Sequence, residues 1–168
     1  MTFAAALLLC CGDPAFAQCT APKPVRSYLK VHRTWSVVEA RDLSPADRLA
    51  WRRAHRGACP GMTALDLGGR GEKSYALAVI NKVRDGRMER LILLQAQAKR
   101  LIPKTLVPAF RVGDPLVVWR GRKRTVRQFG SRQRIPIVHD SIIFEKMGLS
   151  SKVFYLADGQ IRTVLVTE

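Results

Sequence analysis

The chain has 168 residues, of which 47% are hydrophobic and 25% are charged. This length suffices for one domain with a proper core, and no second domain is required. Lysine and arginine number 29 against 13 aspartates and glutamates, so the net charge of +16 favours anionic partners over cationic ones. The alternative is that this charge only keeps the protein soluble.

The first seventeen residues, 1–17, are predicted to be a cleaved signal peptide. The apolar run from Thr2 to Cys11 is followed by a Gly-Asp-Pro break, and Ala15-Phe16-Ala17 has the small-x-small pattern that signal peptidase recognises. The run has about half of the roughly 20 apolar residues that a membrane span needs, so we expect no transmembrane anchor. A lipid anchor is the alternative, although Leu9 precedes the first cysteine where a small residue is typical. We therefore expect a periplasmic or secreted protein.

Residues 18–168 are predicted to form a single β-rich domain with only two cysteines, Cys19 and Cys59. An even pair in an exported chain predicts a disulfide, and closing this loop would stabilise the fold by roughly 3 to 4 kcal/mol. Two free thiols or two cysteine ligands of one metal ion are the alternatives, but a tetrahedral zinc site would need two more ligands. Two prolines interrupt any apolar pattern between Gln18 and Arg26, which predicts an extended N-terminal leader.

One helix is predicted near the middle of the N-terminal half. Alternating apolar residues between Leu29 and Val37 first indicate one or two short strands. Ser44 is then a typical N-cap and Pro45 fits the first helical position, so a short helix should run to about His55 and end at Gly57. Its expected apolar stripe consists of Ala46, Leu49, Ala50 and Ala54.

The rest of the chain has the pattern of an antiparallel sheet. The apolar runs Ser74–Val83 and Met88–Ala98 flank an Asp-Gly turn, and Ala157-Asp158-Gly159-Gln160 predicts a second hairpin with a type I′ turn. Four further strands are expected, at Leu106–Val112, Leu116–Trp119, Ile135–Val138 and Ile142–Glu145. The fold class is therefore α+β, with an antiparallel-rich sheet of about seven to nine strands and one or two short helices.

A glycine-rich acidic loop runs from Asp66 to Ser74. It follows Cys59-Pro60-Gly61 and precedes Tyr75-Ala76-Leu77, and the chain later ends in a hairpin with Tyr155 and Asp158-Gly159. Together these motifs resemble a group of exported bacterial proteins of unknown biochemical function, whose loop is related to FG-GAP and VCBS repeats. The resemblance implies a strand on each side of the loop, and it implies no reaction.

The loop departs from the calcium-binding pattern of that group. Calcium loops of this kind use side-chain oxygens at the first, third, fifth and ninth positions. Counted from Asp66, the third position is Gly68, the fifth is Arg70 and the ninth is Ser74, so a single carboxylate remains. We therefore expect a degenerate loop without metal or cofactor, in which the guanidinium of Arg70 either pairs with Asp66 or points to water.

A run of basic residues without any acid follows in the second half of the chain. We interpret it first as a mobile, solvated loop between strands, and contact with an anionic envelope component is the functional alternative. Single-stranded nucleic acid, with Phe129 and Trp119 stacking on bases, is disfavoured by the export signal. The candidate anion-binding residues are Arg120, Arg122, Lys123, Arg124, Arg127, Arg132 and Arg134.

Catalytic motifs are absent from the sequence. It has no Gly-x-Ser-x-Gly elbow, no His-Glu-x-x-His and no glycine-rich phosphate loop that opens a helix. The adjacent residues His139-Asp140-Ser141 cannot converge as a catalytic triad must. We expect a non-enzymatic binding or structural module whose partner is an anionic envelope component or an unknown protein. An inhibitor of an envelope hydrolase or an immunity protein is the alternative, and a hydrolase using Asp140 and Glu145 is a weaker one.

Overall fold

The computed structural model describes residues 19–83, 86–98 and 100–167; the predicted signal peptide lies outside these ranges. Within them the chain forms two α-helices, a 3-10 turn and eleven strands, which confirms the predicted α+β class. The helices are α1 (Lys23–Val31) and α2 (Pro45–Ala54), and the turn is Ala40–Asp42. The strands are β1 (Ser36–Val37), β2 (Met62–Leu65), β3 (Ser74–Val83), β4 (Gly86–Gln97), β5 (Arg100–Val112), β6 (Val117–Gly121), β7 (Arg124–Arg127), β8 (Arg134–Ile137), β9 (Ser141–Glu145), β10 (Ser150–Ala157) and β11 (Gln160–Thr167).

Three antiparallel sheets arise from these strands. Sheet A has the order β1-β3-β4-β5, and β2 pairs with β3 beyond the end of β1. Sheet B has the order β11-β10-β9-β6, and β7 pairs with β8 in a separate hairpin. Neither of the two described helices has the length and apolar composition needed to span a membrane.

Three apolar clusters join these sheets into layers. The main cluster contains Ala76 and Ala78 of sheet A together with Ile142 and Phe144 of sheet B, so it lies between the two sheets. A second cluster lies between the other face of sheet A and α1, and a third lies between the outer face of sheet B and the β7–β8 hairpin. Since both faces of the central strands are covered, β9 is buried at all five positions, and its sequence is correspondingly apolar.

The predicted extended leader is wrong, because α1 begins at Lys23. Pro22 is the N-cap and Pro24 lies in the first turn, where backbone N–H groups have no intrahelical partner and proline costs little. Val25 of this helix is fully buried in the second cluster. Because Leu29 and Val31 belong to α1, the one or two short strands predicted between Leu29 and Val37 are limited to β1.

The structure confirms the start of α2 and corrects its buried face. The hydroxyl oxygen of Ser44 accepts a hydrogen bond from the backbone N–H of Asp47 at 3.2 Å, as its N-cap position predicts. Leu49, however, is 50% exposed, whereas Trp51 is 2% exposed in the main cluster. The indole N–H of Trp51 donates to the carbonyl of Ala58 at 3.0 Å. Burying the larger indole removes more apolar surface from water, and its polar atom is satisfied.

The predicted disulfide is present. Cys19 and Cys59 are bonded with a Cα–Cα distance of 5.1 Å and are separated by 40 residues in sequence. Both cysteines pack against the second cluster, next to α1. The bridge therefore fastens the segment before α1 to the segment that leads into β2.

Both predicted hairpins are confirmed. Val83 lies opposite Gly86 in the β3–β4 pairing, with residues 84 and 85 outside the described ranges. In the β10–β11 hairpin, Asp158 has φ 51° and Gly159 has φ 73°. Positive φ at both central residues is what a type I′ turn requires.

Candidate functional site

The acidic loop between β2 and β3 is organised by the carboxylate of Asp66. This carboxylate accepts hydrogen bonds from the backbone N–H groups of Arg70 at 3.2 Å and Gly71 at 2.6 Å. Burial raises the pKa of Asp66. The backbone N–H groups of Gly71, Arg70, Gly69 and Gly68 together lower the pKa by more than burial raises it, so it lies below its usual range. Gly69 and Gly71 have φ values of 66° and 76°, in the left-handed region that glycine adopts more readily than residues with a side chain.

Of the two alternatives for Arg70, pairing of its guanidinium with Asp66 is not what the structure shows. Among the described residues, Asp66 contacts the backbone amide of Arg70 and not its side chain. Several N–H dipoles converge on the carboxylate and stabilise its negative charge, which is the role that a bound cation has in a calcium loop. Ser74, the ninth loop position, is buried in β3, and its hydroxyl accepts the N–H of Ala96 at 3.0 Å. Within the described ranges, no group of three or more His, Cys, Asp or Glu side chains is placed to hold a metal.

The acidic loop is attached to the connection between β8 and β9. The backbone N–H of Asp66 donates to Oδ2 of Asp140 at 2.8 Å, across 74 residues of sequence. Gly69 lies against the ring of His139, where an added Cβ would be 2.4 Å from Nδ1. A side chain at position 69 would therefore push the loop away from this connection.

The three adjacent residues His139, Asp140 and Ser141 make separate contacts, as the sequence predicts. The hydroxyl of Ser141 is buried and donates to the carbonyl of Gly121 at 3.3 Å. The carboxylate of Asp140 instead accepts the N–H of Asp66. These side chains do not assemble as a nucleophile, a base and an orienting acid.

The basic run folds into the β7–β8 hairpin, so the interpretation as a loop without strands of its own is wrong, although its charged side chains are exposed to solvent. We call residues 124–137 the basic hairpin. Val126 and Ile137 are buried in the third cluster against the outer face of sheet B. The backbone N–H of Phe129 donates to the carbonyl of Leu165 at 2.8 Å, which attaches the tip of the hairpin to β11. The hairpin is thus held at both its apolar face and its tip.

All seven predicted anion-binding side chains are exposed on and beside this hairpin. The β7–β8 register places Arg127 directly opposite Arg134. Directly opposite residues lie on the same face of a sheet, and like charges there are destabilising. Of the seven, only Arg120 has an acid within 4 Å in the described part of the chain, at 3.9 Å from Asp140. The register, which brings two arginines together, was not predicted from the sequence.

The two aromatic residues considered for base stacking differ in their accessibility. Phe129 is 56% exposed at the tip of the hairpin. Trp119 instead packs against the main and third clusters, and its ring lies 5.0 Å from the ring of His55. Its indole nitrogen is buried. One aromatic ring is thus presented beside the arginines, and a continuous stacking surface is not formed.

A cleft opens at the base of the basic hairpin, where the β6–β7 connection, the β8–β9 connection and the acidic loop meet. Its volume is about 350 Å³. We call it the basal cleft. It is lined by Asp66, Gly69, Arg120, Arg122, Lys123, Val138, His139 and Asp140. Three of the predicted anion-binding residues, Arg120, Arg122 and Lys123, therefore share one cleft with the acidic loop. Their distance from this loop in the sequence gave no sign that they would meet.

Comparison of the chain with protein-family models, with curated proteins and with solved structures finds no match. The resemblance of the acidic loop to FG-GAP and VCBS repeats therefore stays a prediction. The function has to follow from the geometry and charge of the basic hairpin and the basal cleft.

Proposed function

We propose that this protein is an exported, non-enzymatic binding module that holds an anionic component of the cell envelope on its basic hairpin. The observation that carries the proposal is the placement of Arg127 directly opposite Arg134, where neither side chain forms an ion pair with an acid among the described residues. Lipid head groups, lipopolysaccharide phosphates and wall polymers all present the required negative charge.

The paired arginines give the free hairpin an unfavourable electrostatic energy. Cβ atoms of directly opposite residues lie about 5 Å apart, and a like-charge pair there costs up to about 1 kcal/mol. In the described part of the chain, neither Arg127 nor Arg134 forms an ion pair with an acid. An anionic group bound between the two guanidinium groups would convert this repulsion into attraction.

The hairpin fixes the backbone positions that carry these charges. Val126 is buried beneath it, and Nε of Arg127 donates to the carbonyl of Ser131 at 3.2 Å at the tip. A segment that is ordered before binding loses less conformational entropy on binding. Cations on a paired hairpin are therefore better suited to a repeating anionic surface than the same residues on an unpaired loop.

Two further observations support export and a non-enzymatic role. The bond between Cys19 and Cys59 is typical of oxidising compartments outside the cytoplasm. The acids weighed as catalytic groups are used in structural hydrogen bonds: Glu145 is buried and accepts the hydroxyl of Ser151 at 2.6 Å, and Asp140 accepts the N–H of Asp66.

The test measures binding of the oxidised protein to purified lipopolysaccharide and to dextran sulfate at 50 and 200 mM salt. We expect the double variant Arg127→Gln/Arg134→Gln to lose about tenfold or more in affinity and to show a shallower salt dependence, because fewer counterions are released. The control Arg53→Gln/Arg56→Gln removes the same charge from exposed positions at the end of α2. Equal losses in the two double variants would mean that net charge alone attracts the polymer, and the proposal would then fail.

A further inference from the structure

We propose that the basal cleft binds the phosphate group of a phosphorylated sugar. The proposal rests on the proposed function, because three cations of the same basic run line the cleft. It adds a ligand class and a defined position: the phosphate contacts the cations, and the sugar hydroxyls contact the acidic side of the cleft.

The cationic side of the cleft has head groups that are available to a ligand. Arg122 and Lys123 are exposed and form no hydrogen bond or ion pair through their side chains with any described residue. Arg120 lies 3.9 Å from the Asp140 carboxylate, which is too long for a hydrogen bond. Guanidinium groups bind phosphate oxygens in a bidentate manner and lysine adds a point charge, so the set matches a phosphate group.

The acidic side of the cleft limits which anions fit. The carboxylate of Asp66 is occupied by the amides of its own loop, which reduces its repulsion of a bound anion. Oδ2 of Asp140 accepts the N–H of Asp66, whereas Oδ1 makes no hydrogen bond with a described residue. A free carboxylate oxygen beside three cations can accept a ligand hydroxyl while the cations hold its phosphate. An anion without a hydroxyl group would leave this acceptor unused, and inorganic phosphate could reach it only by turning its own P–OH away from the cations.

The size and construction of the cleft are consistent with such a ligand. Its volume of about 350 Å³ lies near the lower end of small-molecule sites, which span about 300 to 1,000 Å³. The close contact between Gly69 and His139 fixes the distance between the acidic loop and the β8–β9 connection. The fold therefore sets the separation of these two segments before a ligand binds.

The test uses isothermal titration of the oxidised protein with glucose 6-phosphate, with glucose and with inorganic phosphate. We expect glucose 6-phosphate to bind at least tenfold more tightly than either of the other two. Arg122→Gln and Lys123→Gln should each weaken it at least fivefold, while Arg53→Gln at an exposed position in α2 should leave it unchanged. Thermal melting of each variant checks that its fold is retained. Equal affinity for inorganic phosphate, absence of binding, or an equal loss in Arg53→Gln would overturn the proposal.

The same preparations separate this proposal from the proposed function. Polymer binding that depends on Arg127 and Arg134, without any binding of glucose 6-phosphate, would refute the basal cleft as a sugar-phosphate site and support the basic hairpin as a polymer-binding surface. Specific binding of glucose 6-phosphate without polymer binding would support the cleft and refute the hairpin as a polymer-binding surface.

Discussion

A buried glutamate in sheet A makes the stability of this protein depend on pH. Glu89 of β4 is 0% exposed. Its two carboxyl oxygens lie 3.2 and 3.0 Å from the backbone nitrogen of Leu116, whose N–H donates to them. Burial raises the pKa of Glu89 to about 8, although the N–H of Leu116 and the charge of Lys146 act in the lowering direction. At neutral pH the folded protein therefore holds this side chain mainly as the neutral acid.

The sign and size of the effect follow from this pKa. An unfolded chain would release the proton near pH 4.5, whereas the folded protein releases it near pH 8. Between these values the folded state binds more protons than the unfolded state, so the free energy of unfolding falls as pH rises. Each unit by which the pKa in the folded state exceeds the pKa in the unfolded state corresponds to about 1.4 kcal/mol. The free energy of unfolding therefore falls by an amount on the order of 4 to 5 kcal/mol across the whole interval.

Replacing Glu89 with glutamine tests this reasoning. The amide oxygen of Glu89→Gln can still accept the Leu116 N–H, but the side chain has no charge to bury. We expect urea unfolding to show that the variant gains stability relative to wild type as pH rises from 5 to 8.5, by about 2 kcal/mol or more. Glu72→Gln, at an exposed position in the acidic loop, is the matched control and should stay parallel to wild type. If the free energies of unfolding of wild type and Glu89→Gln differ by the same amount at pH 5 and at pH 8.5, the raised pKa of Glu89 is refuted.

Two further predictions concern the disulfide and the acidic loop. The double variant Cys19→Ser/Cys59→Ser should unfold at lower urea concentration, with a loss of roughly 4 kcal/mol for a 40-residue loop; a loss below about 1 kcal/mol would mean that the bridge contributes little. Asp66→Ala leaves the amides of Arg70 and Gly71 without their acceptor and should cost about 1 kcal/mol, because water can replace an acceptor at this solvent-accessible position; Asp66→Asn should cost less. Thermal melting with and without calcium checks the loop, and a large stabilisation by calcium would contradict its interpretation as a degenerate loop.

Several features of the fold were predictable because their signals are local. The hydroxyl of Ser44 caps the helix that begins one residue later, and Asp158-Gly159 adopts the positive φ angles of its own turn. Both interactions span only a few residues, so the amino-acid types at those positions largely determine the outcome. The pairing of Cys19 with Cys59 was predictable for another reason, since the region after the predicted signal peptide offers no other cysteine.

The candidate site was only partly predictable. The sequence alone identified the basic run and the acidic loop as separate segments, and it gave the charge and the glycine content of each. It gave no indication that Asp66 would bond to Asp140 across 74 residues, or that the two segments would enclose one cleft. A hydrogen bond between distant positions leaves no periodic pattern in a single sequence, so it becomes visible only in the folded chain.

Amino-acid composition and local pattern by themselves determined the surplus of positive charge, the hairpins, the start of α2 and the disulfide. Tertiary structure decided that α1 replaces an extended leader, because Val25 is buried against sheet A. It also decided that the basic run becomes a hairpin, because Val126 and Ile137 cover the outer face of sheet B. In both cases burial of apolar surface against a distant element outweighed the local preference of the segment.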